Sequence, residues 1–263
     1  MPANSSSSAT VSSAAPSHPL MLSVVVPVRN EAGNIGLLLA EIHRALRPVV
    51  HESYEIIYVN DGSADGTAAE LATAAKADPM LRVFSHRRSC GQSQATITGV
   101  LAARGTWIAT LDGDGQNDPA DIVSLLAARD GTGDESLALF IGRRRMRYDS
   151  LMRVVASRIA NMIRRSLLRD GTADSGSGLK LLTRELFLSL PRFDALHRFM
   201  PALVRRAGGR VVSVPIGHRP RLHGKSKYGI VGRGLIGIAD LWGVFWLIRR
   251  YTRPDVSENA DRM

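Results

Sequence analysis

The chain has 263 residues, 44% of them hydrophobic, with 24 glycines, enough apolar material for a sizeable core in one main α/β unit, so disorder is expected only at the ends. A formal net charge of +10 calls for an anionic partner, while aromatics at 5%, not interleaved with the basic residues, speak against a base-stacking platform, and no nucleic-acid partner is expected. Cys90 is the single cysteine, so no internal disulfide can form, and its thiol is expected as a small packing residue.

Residues 1–20 are mostly Ser, Ala and Pro without periodicity and read as a disordered tail; they lack the charged and apolar regions of a secretory signal, so the chain is expected in the cytoplasm. From Leu22 onward, Leu22–Val26, Glu55–Val59, Leu81–Ser85 and Trp107–Leu111 predict buried parallel strands, with helices over Asn34–Leu46, Thr67–Ala77 and Gln92–Ala103 between them. This alternation implies an α/β fold, an open and mostly parallel sheet flanked by helices over residues 21–229, with a further helix and tail over 230–263.

Ligands of such sheets gather beyond the carboxyl ends of the strands. Three polar clusters fall there: Pro27 to Glu31 after the first strand, Asn60 to Ser63 after the second, and Asp112 to Gln116 after the fourth. In the last, two carboxylates separated by one glycine suit a hard divalent cation, Mg²⁺ or Mn²⁺, whose shell phosphate oxygens complete. Gly113 and Gly115 would let a diphosphate approach the backbone. Any one cluster reads equally well as an acidic turn or a helix cap; three on one rim read as a site.

Val26-Pro27-Val28-Arg29-Asn30-Glu31, Val59-Asn60-Asp61-Gly62-Ser63-Ala64-Asp65-Gly66-Thr67 and Asp112-Gly113-Asp114-Gly115-Gln116 resemble the signature of family-two glycosyltransferases with the Rossmann-like GT-A fold, in particular the dolichol-phosphate-mannose-synthase-like branch. Arg153, Ser157 and Asn161, Asp174 before Ser177-Gly178, and Arg221 to Gly229 are similar to that branch as well. The resemblance implies that Pro27, Arg29, Glu31, Val59 and Asp61 surround the nucleoside and that Asp112 and Gly113 line the ribose and diphosphate. It assigns the metal to Asp114 and Gln116 together with Asp112, and phosphate contacts to Arg144, Arg221 and Lys227, with Arg153 as a further candidate. Arg29 stands where Tyr is frequent, and Arg143 stands where a small residue often precedes the functional Arg144.

The most basic stretch, Arg143 to Arg169, carries nine arginines against Asp149 alone. Helical spacing puts Arg153, Arg158, Arg164, Arg165 and Arg169 on one side and Leu151, Met152, Val155, Ile159, Met162 and Ile163 on the other, with Val154 and Leu168 intruding on the polar side. Downstream, Gly234–Ile248 is apolar except for Asp240, shorter than the roughly 20 residues a spanning helix needs, with two Trp and followed by Arg249, Arg250 and Arg253. It suits an amphipathic interfacial helix on an anionic membrane surface or a docking site for an integral membrane protein, so the chain is expected to be peripheral on the cytoplasmic face.

The reaction expected from the resemblance is inverting transfer from a GDP- or UDP-linked sugar to a polyprenyl phosphate. Asp114, Arg144 and Arg221 would act at the reacting centre. With a hydroxyl acceptor instead, Asp174 would be the base. A non-catalytic membrane adaptor is the rival reading; it has no need of acidic clusters at strand ends.

Overall fold

A computed structural model describes residues 20–131, 136–144, 162, 164–172, 174–217, 219–220 and 230–250, the last stretch with backbone alone at 230–236. Its elements run β1 (Leu22–Val28), α1 (Ile35–Val50), β2 (Tyr54–Asp61), α2 (Thr67–Ala77), β3 (Leu81–His86), α3 (Gln92–Ala102), β4 (Trp107–Thr110), α4 (Ala120–Asp130), β5 (Ala138–Arg144), β6 (Lys180–Thr183), α5 (Arg184–Ser189), α6 (Leu196–Arg206), β7 (Arg210–Ile216) and α7 (Ile230–Arg249). The strands form one seven-stranded sheet in the order β3-β2-β1-β4-β6-β5-β7. β6 alone runs antiparallel to its neighbours, so the expectation of a mostly parallel sheet holds.

Strand periodicity sorts the core onto the two sheet faces. Val24, Val26, Ile56 and Tyr58 join one buried cluster with Leu38, Ile42 and Leu46 of α1 and Ile122 and Leu125 of α4. Their alternates Val25, Ile57 and Val59 join a second, under α3, α5, α6 and α7. In α1, Ile35, Leu38, Leu39, Ile42 and Leu46 recur at helical spacing, and all are buried. The strand order reverses beside β1, flanked by β2 on one side and β4 on the other, and that crevice is where ligands of open sheets bind.

Within the basic stretch the described residues overturn the expected faces. Arg164 is 7% exposed, its guanidinium held by Asp170 and by the Thr172 carbonyl at 3.1 Å, while Met162 is 64% exposed. Arg164 and Leu168, one helical turn apart, both point inward, because an internal carboxylate compensates the arginine. Arg143 and Arg144 end β5. Cys90 is exposed instead of packed. Arg153 and Arg158 lie outside the described residues.

Candidate active site

The rim beyond β1, β2 and β4 is a mesh of loop-to-loop hydrogen bonds. The Asn30 side chain accepts from Ala64 N–H at 2.8 Å while its own N–H donates to Ser63 Oγ at 2.9 Å; Glu31 N–H donates to Thr67 Oγ1 at 2.9 Å. These bonds join the β1–α1 and β2–α2 loops, so two of the three clusters are locked side by side. Glu31 is buried and accepts from Asn34 Nδ2 at 2.9 Å, whereas Arg29 is exposed at the rim.

Asp61, expected beside the nucleoside, is tied to the loop that follows β3. Its Oδ1 accepts from Cys90 N–H at 2.7 Å and meets His86 Nδ1 at 2.8 Å; its Oδ2 accepts from Ser89 Oγ at 2.7 Å and Gly91 N–H at 2.9 Å. A carboxylate has about four lone-pair sites, and here the protein takes all four. Burial alone would raise the Asp61 pKa, but these donors outweigh it and hold the carboxyl below its usual range. Asp61 therefore shapes the floor of the rim by fixing the loop after β3. Val59, expected in the same place, is fully buried, its side chain turned into the core beneath α3.

Asp112 follows β4 at the crevice. Gln92 Nε2, at the start of α3, donates to its Oδ1 at 2.7 Å. Against its other side lies Gly178, where an added Cβ would stand 2.1 Å from Asp112 Oδ2, and Thr110 Oγ1 holds that backbone by donating to the Gly178 carbonyl at 2.7 Å. Only glycine permits this approach. At Gly113 an added Cβ would meet Val28 Cγ1 at 2.3 Å, so packing on β1 also requires a small residue there. Asp114 Oδ1 accepts from Gln116 N–H at 3.2 Å, closing the turn that carries the three expected metal ligands. Burial and the neighbouring Asp114 carboxylate push the Asp112 pKa up to about 6, with Lys180, Arg144 and Gln92 pulling it back.

Arg144, the last residue of β5, grips Asp174 with two prongs, Nε to Oδ2 at 2.7 Å and Nη2 to Oδ1 at 2.8 Å. Beneath Asp112, Lys180 opens β6 at 2% exposure and donates through Nζ to the Ser177 carbonyl. Lys180, Asp112, Gln92, Pro27, Gly178 and His197 line one small pocket. His197 Nδ1 meets Ser93 Oγ at 2.7 Å, and burial with the nearby Lys180 and Arg198 charges lowers its pKa to about 3.

The structure thus brings Pro27, Asp112, Asp114, Gln116, Arg144 and Asp174 to one end of the sheet; Arg153, Arg221 and Lys227 lie outside the described residues. Sequence reasoning singled out Gly178 only as part of the resembling Ser177-Gly178 motif, without its contact to Asp112, and missed Gln92, Lys180 and His197. Gln92 had a signal, since the polar run after the third strand obeys the same strand-end rule. Lys180 belongs to a strand of four residues, too short for a readable period, and His197 to an amphipathic helix where a lone histidine stands out little.

A parallel sheet with an acidic pair at its switch point and an antiparallel strand carrying the opposite wall is the architecture of a GT-A glycosyltransferase. Residues 23–190 match glycosyl transferase family 2, and the chain belongs to that family. It is similar to the dodecaprenyl-phosphate galacturonate synthase of Rhizobium johnstonii, 34% identical over 243 residues, which are 91% of this chain and 70% of that protein. It is also similar to the undecaprenyl-phosphate 4-deoxy-4-formamido-L-arabinose transferase of Aeromonas hydrophila, 30% identical over 213 residues, 80% of this chain and 64% of that protein. The chain thus spans about two thirds of the length of these relatives. Among solved structures, glucosyl-3-phosphoglycerate synthase from Mycobacterium tuberculosis, in complex with Mn²⁺, UDP-glucose and phosphoglyceric acid, superposes with a TM-score of 0.62 at 20% identity, covering 86% of this chain and 80% of that one.

Proposed function

We propose that this chain transfers a sugar, with inversion, from a nucleoside diphosphate sugar to a polyprenyl phosphate at a membrane surface. The observation that carries the reading is the Asp112 carboxylate, wedged between Gln92 and the Cα of Gly178 with the Arg144 and Lys180 charges close by. The names of the two relatives, both polyprenyl-phosphate sugar enzymes, supply the acceptor class.

The donor set at the β4 turn fits a hard divalent cation, because Asp112, Asp114 and Gln116 offer oxygens and the Gly178 cradle keeps the Asp112 carboxylate from swinging away. The Mn²⁺ of the mycobacterial structure supports the same choice. Such an ion, when bound, neutralises charge on the leaving diphosphate. The chain's own part is positioning. The loop fixed by Asp61, together with Pro27, Arg29 and Glu31, forms the nucleoside floor. Arg144, together with Arg221, Lys227 and Arg153 by their place in the resembling motifs, receives phosphate oxygens in forked or point contacts.

A phosphate acceptor is already anionic near neutral pH and needs no strong base. That agrees with Asp174, whose two oxygens are both engaged by Arg144 and whose role is to aim that guanidinium rather than to take a proton. The membrane contact rests on α7. Ile238, Trp242 and Trp246 recur every fourth residue and are 56%, 58% and 60% exposed, while Val244 on the opposite side is buried in the core cluster. Arg249 stacks 3.9 Å from the Phe245 ring centre and Arg250 lies 5.9 Å from that of Trp246, so basic charge closes the stripe. Among the described residues no helix is long and apolar enough to cross a membrane.

The test is transfer from a panel of GDP- and UDP-sugars with Mg²⁺ or Mn²⁺ and vesicles containing polyprenyl phosphate, comparing the native chain with Asp114→Ala. A glycolipid product from one donor, dependent on metal and lost in the folded variant, is expected. A folded protein that binds vesicles and yields no product from any donor would leave the adaptor reading in its place.

A further inference from the structure

A lysine at 2% exposure is exceptional, since burying an ammonium away from water is costly unless carboxylates and acceptors surround it. Lys180 meets both conditions at the active site. Its position on β6 is fixed by pairing with Thr110 of β4 on one side and Ile141 of β5 on the other, and its amino group lies within electrostatic reach of Asp112, Asp174 and Arg144. Its Nζ donates to the Ser177 carbonyl, it shares a pocket with Asp112, and its charge acts on both Asp112 and Asp174.

Among the described residues, the charged groups tied electrostatically to Asp112 and Lys180 are Asp114, Asp174 and Arg144; Arg164 also acts on Asp174 but is neutralised by its own partner Asp170. One net negative charge remains. A bare divalent ion would reverse it to a net positive one, which only the nucleotide's diphosphate relieves. Without Lys180 the site would carry two net negative charges and match a divalent ion by itself.

We propose that Lys180 is a built-in counter-cation of the carboxylate site, which makes metal binding conditional on the nucleoside diphosphate and so couples the arrival of the two. Lys180 is a positioning residue in this role: it sets the field at Asp112 and holds the Ser177 carbonyl, and it need not touch the sugar. The inference rests on the reading that Asp112, Asp114 and Gln116 take the metal.

The experiment is a Mn²⁺ titration of the full chain at pH 7, followed by the electron paramagnetic resonance of free Mn²⁺, with and without UDP or GDP. The native protein is expected to bind Mn²⁺ at least about tenfold more tightly with the effective nucleotide than alone. Lys180→Met is expected to bind bare Mn²⁺ about tenfold more tightly than the native protein and to lose most of that coupling; Lys180→Arg keeps the charge and keeps native behaviour. A purely structural lysine would give the opposite sign, weaker Mn²⁺ binding on removal. Equal native affinity with and without nucleotide overturns the proposal even if no variant folds, and so does a folded Lys180→Met that binds bare Mn²⁺ no better than the native chain. Asp114→Ala separates the two failures: if it leaves Mn²⁺ binding intact, the metal site itself is wrongly placed; if it abolishes binding while Lys180→Met does not tighten it, only the role of Lys180 falls.

Discussion

Arg144 and Asp174, thirty residues apart in the chain, meet in a two-pronged ion pair whose bonds of 2.7 and 2.8 Å fix the guanidinium plane at the mouth of the site. A planar fork held on one edge presents its remaining donors in a set direction, which suits phosphate oxygens. Asp174→Asn keeps the shape and loses the charge, and it should lower kcat about a hundredfold while changing the donor KM little. Arg144→Lys should cost a similar amount, and the double variant should be no worse than the poorer single one, because the pair acts as a unit. Steady-state kinetics of the four proteins check this. A far larger loss in Asp174→Asn than in Arg144→Lys, with the acidic limb of the pH profile gone from the residual activity, would instead mark Asp174 as a base.

The contact between Gly178 and Asp112 predicts a second sharp effect. A methyl group at 178 would overlap the Asp112 carboxylate, and rotating that side chain away is what relieves the overlap. Gly178→Ala should therefore push Asp112 off Gln92 and abolish measurable transfer, while the hydrophobic clusters on both faces keep the protein folded. Circular dichroism beside the activity assay tells the two apart, and wild-type activity in this variant would remove the cradle from the mechanism.

His197 makes the stability depend on acidity. Burial, with Lys180 and Arg198 nearby, lowers its pKa from 6.5 to about 3, so the unfolded chain takes up a proton that the folded chain refuses. The stability from its neutral form is complete above pH 6.5 and is lost as pH falls toward 3. At pH 5 the loss is about 2 kcal/mol. His197→Gln, which can still pair with Ser93, should start less stable at pH 7 and lose less between pH 7 and 5. Denaturant melts at the two pH values measure the difference, and parallel slopes for both proteins would refute the assignment.

The first half of the sheet was legible because each element carries its own period. Thr67–Ala77 is a helix with the ends that the spacing predicts, and the four predicted strands all form with ends shifted by one or two residues. The second half was not. β6 is four residues long, too short to show alternation, and β7 is a half-exposed edge strand that carries Arg210 and Pro215. At the site, Asp112 was legible as a strand-end carboxylate, but nothing local reveals that Lys180 and Gly178 lie against it, since an antiparallel return strand brings them there. Arg164 misled for the converse reason: a run of arginines reads as one solvated face, whereas the left-handed turn at Arg169 brings Asp170 back to neutralise one of them in the interior. Asp61 and Val59 carry structural work that the motif alone does not reveal, one tying down the loop after β3 and the other filling the core.

The stripe on α7 predicts how the protein meets its lipid acceptor. Trp242 stands edge-on to Phe245 with ring centres 5.5 Å apart, so its indole is held outward by a partner and does not fold back onto the core. Rings fixed in this way enter the headgroup zone at little entropic cost, and the adjoining Arg249 and Arg250 add attraction to anionic lipid. Replacing Trp242 and Trp246 together by Ala should weaken binding to vesicles containing anionic phospholipid by about tenfold or more, and charge reversal of Arg249 and Arg250 should weaken it only when the vesicles are anionic. Flotation of the full chain with neutral and with anionic vesicles measures both. Transfer to a short-chain, water-soluble polyprenyl phosphate should survive the Trp replacements, because those rings lie outside the carboxylate site; equal loss on soluble and membrane-held acceptor would mean that α7 supports the fold of the site rather than its approach to the membrane.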